Sequence, residues 1–247
     1  MNYIPIEIAS QNAWPAFKQI DNDGWISRYA DGYTKRANSV TILHPNSISL
    51  EEQIVKHEQA YNNEGLPCIF RLLSFNDNTQ IESMLNSKGY TNGDHSLVLS
   101  NNISNKDFQP LEFEKLTVNE WMKYYCQLRN KDIRNHSTHI KIINNIKDMY
   151  LLAILRKENN IVSCGLGVVH GGFFGILDIV THPEYRNKGY GFDLINGMLN
   201  WAVQNSADTA YVQVLADNTP AVKLYKKHGY ELSYEYHYKI QNFVHAA

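Results

Sequence analysis

Long apolar runs are missing from this sequence. The most apolar stretch, Phe173 to Val180, is interrupted by Asp178, and the opening Met1-Asn2-Tyr3-Ile4-Pro5-Ile6-Glu7 has no cationic segment leading into an apolar one. Neither a membrane span nor a secretory leader is expected, and a cytoplasmic location is. An excess of one charge is missing too, since 23 Lys and Arg stand against 25 Asp and Glu, a formal net charge of -2. With no basic stripe, nucleic acid is a poor partner, whereas a compact nucleotide cofactor stays compatible. Cysteine is scarce. Cys68, Cys126 and Cys164 are odd in number, far apart and without ligand spacing, so they read as reduced packing residues, not as a disulfide framework. No metal site is expected: the His-x-x-His of His136 and His139 lacks a third ligand or an adjacent glutamate and reads as surface.

What is present is an ordinary globular composition, 43% hydrophobic and 19% charged over 247 residues, with room for two domains of roughly 100 to 150 residues. An internal repeat supports that division. Phe75 to Tyr90 aligns without gaps on Leu215 to Tyr230, and in both copies an Asp-Asn-Thr turn opens a helix that a Gly-Tyr closes. The polar stretch Asn101 to Asp107, ending at Pro110, reads as a linker, giving lobes at 1–107 and 108–247.

In the first lobe the spacing predicts strands over Trp25 to Ala30 and Ala37 to Leu43 around the turn Asp31-Gly32. A helix capped by Ser49 and Glu52 follows, then a strand over Pro67 to Leu73, the repeat helix, and a strand over Ser96 to Ser100. The second lobe reads as a short strand Leu111 to Lys115 and helices near Val118 to Arg129 and Thr138 to Ile146. An antiparallel meander over Tyr150 to Thr181 comes next, then a helix with the stripe Leu194, Ile195, Met198, Leu199, Ala202, Val203. A strand over Ala210 to Leu215, the repeat helix and an alternating strand Tyr230 to Tyr238 complete it. The fold class expected is α/β: two lobes, each a mixed, mainly antiparallel sheet flanked by helices.

The strongest chemical signal is the passage from the strand Ile176 to Thr181, through His182-Pro183-Glu184-Tyr185, into Arg186-Asn187-Lys188-Gly189-Tyr190-Gly191 and a helix. A pyrophosphate needs converging N–H donors at a positive helix end, and the two glycines let backbone approach it while Arg186 and Lys188 add charge. The dinucleotide fingerprint is not met, because Gly191 is followed by Phe192-Asp193-Leu194 with no third glycine.

This turn resembles that of the GCN5-related N-acetyltransferases, whose pattern is (Gln or Arg)-x-x-Gly-x-(Gly or Ala) after a strand and a proline. Asn218 and Tyr225, on the helix ending at Gly229-Tyr230, match two later positions of that family. The resemblance covers about Leu111 to Lys239. More weakly, Asp23 to Arg28 and Arg36 to Val40 resemble the N-terminal part of its two-lobed bacterial members. It implies acetyl-CoA as acetyl donor and a primary amine as acceptor. The backbone of Ile179, Val180 and Thr181 would pair with the pantetheine arm where the strand bulges and splays, and a free amide there would steady the oxyanion, worth about 3 kcal/mol. Arg186, Asn187, Lys188, Gly189, Tyr190, Gly191 and Phe192 would hold the pyrophosphate, Asn218 would bond the cofactor, and Tyr225 would protonate the departing thiolate.

In the first lobe Leu85 stands where Tyr225 does and no such turn precedes Asn78, so one active centre is expected and the first lobe reads as a degenerate copy. Arg28, Arg36, Asn38 and Ser39 either line an acceptor pocket or serve as hairpin packing. Many relatives carry a glutamate where this chain has Gln213, leaving the general base open among Asp178, His170, His182 and water. The acceptor reads as a small-molecule amine. A protein N-terminus or lysine, or an acetyl-CoA-sensing module without turnover, are the competing readings, and a homo-oligomer is compatible with all three.

Overall fold

The structure is a computed structural model that describes residues 2–44 and 48–242. In chain order it runs α1 (Ile4–Ala13), β1 (Lys18–Asn22), β2 (Trp25–Tyr29), β3 (Val40–Ile42), α2 (Leu50–Asn63), β4 (Ile69–Leu73), α3 (Thr79–Ser87) and β5 (Thr91–Asn102). It continues with α4 (Val118–Arg129), α5 (Ser137–Asn144), β6 (Met149–Lys157), β7 (Asn160–His170), β8 (Phe173–Thr181), α6 (Tyr190–Gln204), β9 (Thr209–Leu215), α7 (Thr219–Lys227) and β10 (Glu231–Ile240). Most sheet pairs are antiparallel, and β3 with β4 and β8 with β9 run parallel.

Two compact units emerge, and neither is contiguous in sequence. One comprises Met1–Pro15 with Val98–Ser233, the other Ala16–Leu97 with Tyr234–Ala247. This differs from the division at 107/108 for a physical reason at each end. Helix α1, which hydrophobic patterning did not reveal, packs on β7 and β8 and so joins the later unit. Strand β10 leaves the later unit after Ser233 and pairs antiparallel with β4, from Tyr236 opposite Leu73 to Ile240 opposite Ile69, so it completes the earlier sheet.

In the unit of 16–97 and 234–242, the sheet runs β1-β2-β3-β4-β10. Its core gathers Trp25, Tyr29, Val40, Phe70 and Leu72 from the strands with Ile54, Tyr61, Ile81 and Leu85 from α2 and α3. Ser49 caps α2 by accepting from the Glu52 N–H, as its spacing predicts. The connection from β2 to β3 is stapled from within. Asn38 accepts from the N–H groups of Ala30 and Gly32 and donates to the Thr34 carbonyl, while Arg28 donates to the Arg36 carbonyl and the Gln19 side chain. Of the two uses open to Arg28 and Asn38, these bonds make them structural. Tyr236 and Tyr238 are buried in β10, with the Arg71 guanidinium 3.7 Å from the Tyr236 ring centre.

The unit of 2–15 and 98–233 places β9-β8-β7-β6 side by side. Helix α6 lies over the face that carries Gly165 and Gly167, where added Cβ atoms would meet Met198 within 3.4 Å. Residues 108–117 form no strand. Leu111 and Phe113 instead close over Gly197 of α6, and Glu114 pairs with Arg156 at 2.6 Å. Thr117 and Glu120 form a full capping box on α4, whose Trp121 donates to the Ala153 carbonyl.

The repeat is deeper than its helix. At one offset of 140 residues, α3 from Thr79 coincides with α7 from Thr219, α2 from Leu50 with α6 from Tyr190, β4 from Ile69 with β9 from Thr209, and β5 from Thr91 with β10 from Glu231. Gly89 and Gly229 close the two helices at φ 81° and 82°.

Two outcomes follow from this packing. Truncation after Ser233 strips β4 of its antiparallel partner and leaves it only β3, so the unit of 16–97 should lose its cooperative thermal transition by calorimetry while the other unit keeps one. His57 is buried against Trp25 with Ser27 on its Nδ1, and burial pushes its pKa down from 6.5 to about 4. The unfolded chain therefore binds the extra proton first: the stability this neutral imidazole preserves is full above about pH 6.5 and is lost, by roughly 3 kcal/mol at most, as pH falls to about 4. Urea titrations across that window should show His57→Gln with the shallower slope.

Candidate active site

The site begins with a break in strand pairing. Along β7 and β8, Ser163 opposes Thr181 and Cys164 opposes Val180, but Leu166 opposes Leu177, so Asp178 and Ile179 together face Gly165. This is a β-bulge with its first residue left-handed, Asp178 at φ 52°. Gly165 makes room for it, since a Cβ there would come within 2.4 Å of Ile179 Cδ1. On the other edge, β8 pairs with β9 only from Phe173 opposite Thr209 to Ile176 opposite Val212. From residue 177 onward the two strands part, and the splay that the resemblance implied is present. The last residues of β8 are held from behind: Ser163 Oγ donates to the Val180 carbonyl at 2.7 Å and lies 3.0 Å from Thr181 Oγ1.

The turn after β8 brings the start of α6 against that strand end. A Cβ on Gly191 would lie 3.1 Å from Thr181 Oγ1, so glycine is what permits the approach. Arg186 Nε donates to the Thr181 carbonyl at 3.2 Å, and the Lys188 ammonium sits 5.4 Å from the Tyr185 ring centre. Asn187 (φ 60°) and Gly189 (φ 89°) are left-handed on either side of Lys188, the alternation that turns successive N–H groups into a concave nest for an anion. Helices α2, α4 and α7 accept their first-turn N–H groups on the side chains of Ser49, Thr117 and Asn218, whereas α6 begins at Gly189 with no side-chain cap. Its open amide end and the neighbouring cations fit a pyrophosphate. Phe192 differs in detail from expectation, because its N–H already donates to the Gly189 carbonyl and its ring stacks on His228 at 4.1 Å.

Asn218 caps α7 with its Oδ1 on the Ala221 N–H at 3.3 Å, and Tyr225 follows two turns on with its ring edge-on to Tyr230. Burial, with a smaller contribution from the Asp178 charge, pushes the Tyr225 phenol up, so it is protonated at neutral pH. At the corresponding places of the other unit the chemistry is closed off. Ser49 stands for Gly189 and caps its helix with its own hydroxyl, Glu51 stands for Gly191, and Leu85 for Tyr225. The first turn of α2 carries two glutamates, against the single Asp193 in that of α6, and so is the less favourable to an anionic ligand.

Sequence reasoning missed one partner at this site. His139, read as surface, is 2% exposed, with Nε2 2.9 Å from Asp178 Oδ2. The signal was there in the sequence, where His139, Ile142 and Ile143 of α5 and Ile146 just beyond it recur at helical spacing and all are buried. His170 forms its own pair with Asp148 at 2.9 Å, and His182 caps the turn before Arg186. Among the described residues no group of three metal-ligating side chains converges, and no helix is long and apolar enough to cross a membrane.

Comparison with known proteins agrees with this geometry. Residues 4–239 match the family described as "Probable histone acetyltransferase Rv0428c C-terminal". The chain is 26% identical to the "Uncharacterized N-acetyltransferase YobR" of Bacillus subtilis, over 96% of this chain and 97% of the relative. In structure it is similar to a GCN5-related N-acetyltransferase from Kribbella flavida (TM-score 0.73, 14% identity, 98% and 96% of the two chains). It is also similar to a tandem protein of that fold from the clavulanic acid biosynthesis pathway (TM-score 0.64, 8% identity, 95% and 86%). A family match across nearly the whole chain, on a fold with the bulged strand and open helix end, establishes that this protein belongs to the Rv0428c C-terminal family and is a GCN5-related N-acetyltransferase.

Proposed function

We infer that the chain transfers an acetyl group from acetyl-CoA to a primary amine of a small molecule, by direct attack within a ternary complex. The observation that carries this is the adjacency of the splayed end of β8 and the uncapped start of α6, joined where Gly191 meets Thr181. When bound, acetyl-CoA supplies an activated thioester. The backbone of Ile179, Val180 and Thr181 gives an extended edge along which a pantetheine arm can pair, and an amide at the bulge offers a donor to the carbonyl oxygen where charge builds. The N–H groups of Asn187 to Gly191, with Arg186 and Lys188, take the pyrophosphate, and Phe192 steadies that turn through His228. Since the Asn218 Oδ1 is engaged as a cap, its amide nitrogen is the part that meets the cofactor. Tyr225 gives its proton to the leaving sulfur. A protein lysine acceptor is the second reading, favoured by the histone acetyltransferase description of the family.

Tyr225→Phe tests the role of the phenol. Removing a positioned acid should lower the rate of thiol release from acetyl-CoA in the presence of an amine panel by about 10²-fold or more, with CoA affinity by calorimetry unchanged. A variant as fast as the parent on every acceptor removes Tyr225 from the mechanism.

A further inference from the structure

The bulge on β8 also directs an acid. Asp178 is left-handed at φ 52°, which costs a residue with a Cβ about 1 kcal/mol or more. The conformation carries its carboxylate to Nε2 of His139, 2.9 Å away. His139 is 2% exposed and Asp178 is 18% exposed. Trp14 and Tyr125 stand edge-on to the imidazole at 4.9 and 5.2 Å between ring centres, and Trp121 at 6.4 Å. An imidazole so enclosed cannot touch a solute, but as a donor it fixes the orientation of the carboxylate in front of it.

The pair adjoins the residues of acyl transfer. Asp178 directly precedes Ile179 and Val180, and its charge is felt by both Tyr225 and Cys164. His136 feels the Asp178 charge as well, and Arg129 acts on both His136 and Cys164, Lys131 on His136 and Cys126 on Cys164. Burial holds Cys164 and Cys126 neutral by raising them and pushes His136 down. Successive residues of β8 face opposite ways: Ile179 points to Gly165 and α6, whereas Asp178 points to α5, so donor and acceptor can reach the splay from opposite faces.

We propose that Asp178 is the group that receives the proton of the acceptor amine, with His139 as its positioning residue. The assignment rests on the transferase reading above. As the amine nitrogen bonds to the acetyl carbon, the carbon–sulfur bond breaks. Before that attack the Asp178 carboxylate takes one proton from the acceptor's ammonium form and passes it to solvent; the second nitrogen proton leaves to water as the amide forms, and the Tyr225 phenol protonates the thiolate and is reprotonated by water.

The test compares acetyl transfer to n-butylamine, an ammonium ion at pH 7, with transfer to hydroxylamine, a nucleophile neutral at that pH. Asp178→Asn should slow the first by about 10²-fold or more and the second by only a small factor, with CoA affinity unchanged. His139→Leu removes the donor that orients the carboxylate, so kcat for n-butylamine should fall with KM and CoA affinity unchanged, and His139→Gln, which can still donate, should restore it. Equal losses on both nucleophiles, or none, overturn the role of Asp178. An unchanged kcat in His139→Leu, or a loss that His139→Gln does not restore, overturns that of His139, and if the leucine variant does not fold, the His139→Gln rate decides. A parent enzyme inactive on both nucleophiles, on the amine panel and on a lysine peptide overturns the transferase reading itself.

Discussion

A single register slip organises this active site. Antiparallel strands keep every backbone group paired, and a paired edge has nothing to offer a ligand. Opposing two residues, Asp178 and Ile179, to the one Gly165 breaks that economy where β8 parts from β9. The chain tolerates it because Gly165 leaves space for Ile179, Ser163 ties down the strand beyond the bulge, and His139 anchors the left-handed residue. The turn that follows works only because the strand end is held there, with Gly191 against Thr181 and Arg186 on the Thr181 carbonyl.

Duplication explains the rest of the architecture. Two copies of one design share an offset of 140 residues, yet only one retains an open helix end and the tyrosine. In the other, a serine cap and two glutamates in the first turn use the same helix terminus for stability. A capped, acidic terminus and an uncapped one flanked by cations are alternative uses of the same four unpaired amides. The exchange of ends, with α1 in the later unit and β10 in the earlier one, means that each unit is completed by a segment remote in sequence.

Much of this was legible beforehand. The boundaries of α4 and β8, the cap of α2 and the glycine turn follow from spacing and local chemistry, which act within a few residues. What escaped is decided over longer distances. Helix α1 carries a weak apolar pattern and is fixed by β7 and β8. Leu111 and Phe113 look like a strand but are drawn onto Gly197. The membership of β10 depends on a partner, β4, that no local pattern names. At the site, Arg186 to Gly191, Asn218 and Tyr225 were readable as an ordered set. His139 was not, because its partner is 39 residues away and became reachable only through a left-handed Asp178.

The central claim is that one acetyl donor binds per chain, where the open start of α6 meets the bulged strand. Calorimetric titration of CoA into the parent protein and Gly191→Val tests it most directly. The account predicts one site per chain in the parent and none in the variant, whose added Cβ would press on Thr181 and fill the cradle. Two sites per chain, or an affinity that Gly191→Val leaves unchanged, would contradict it.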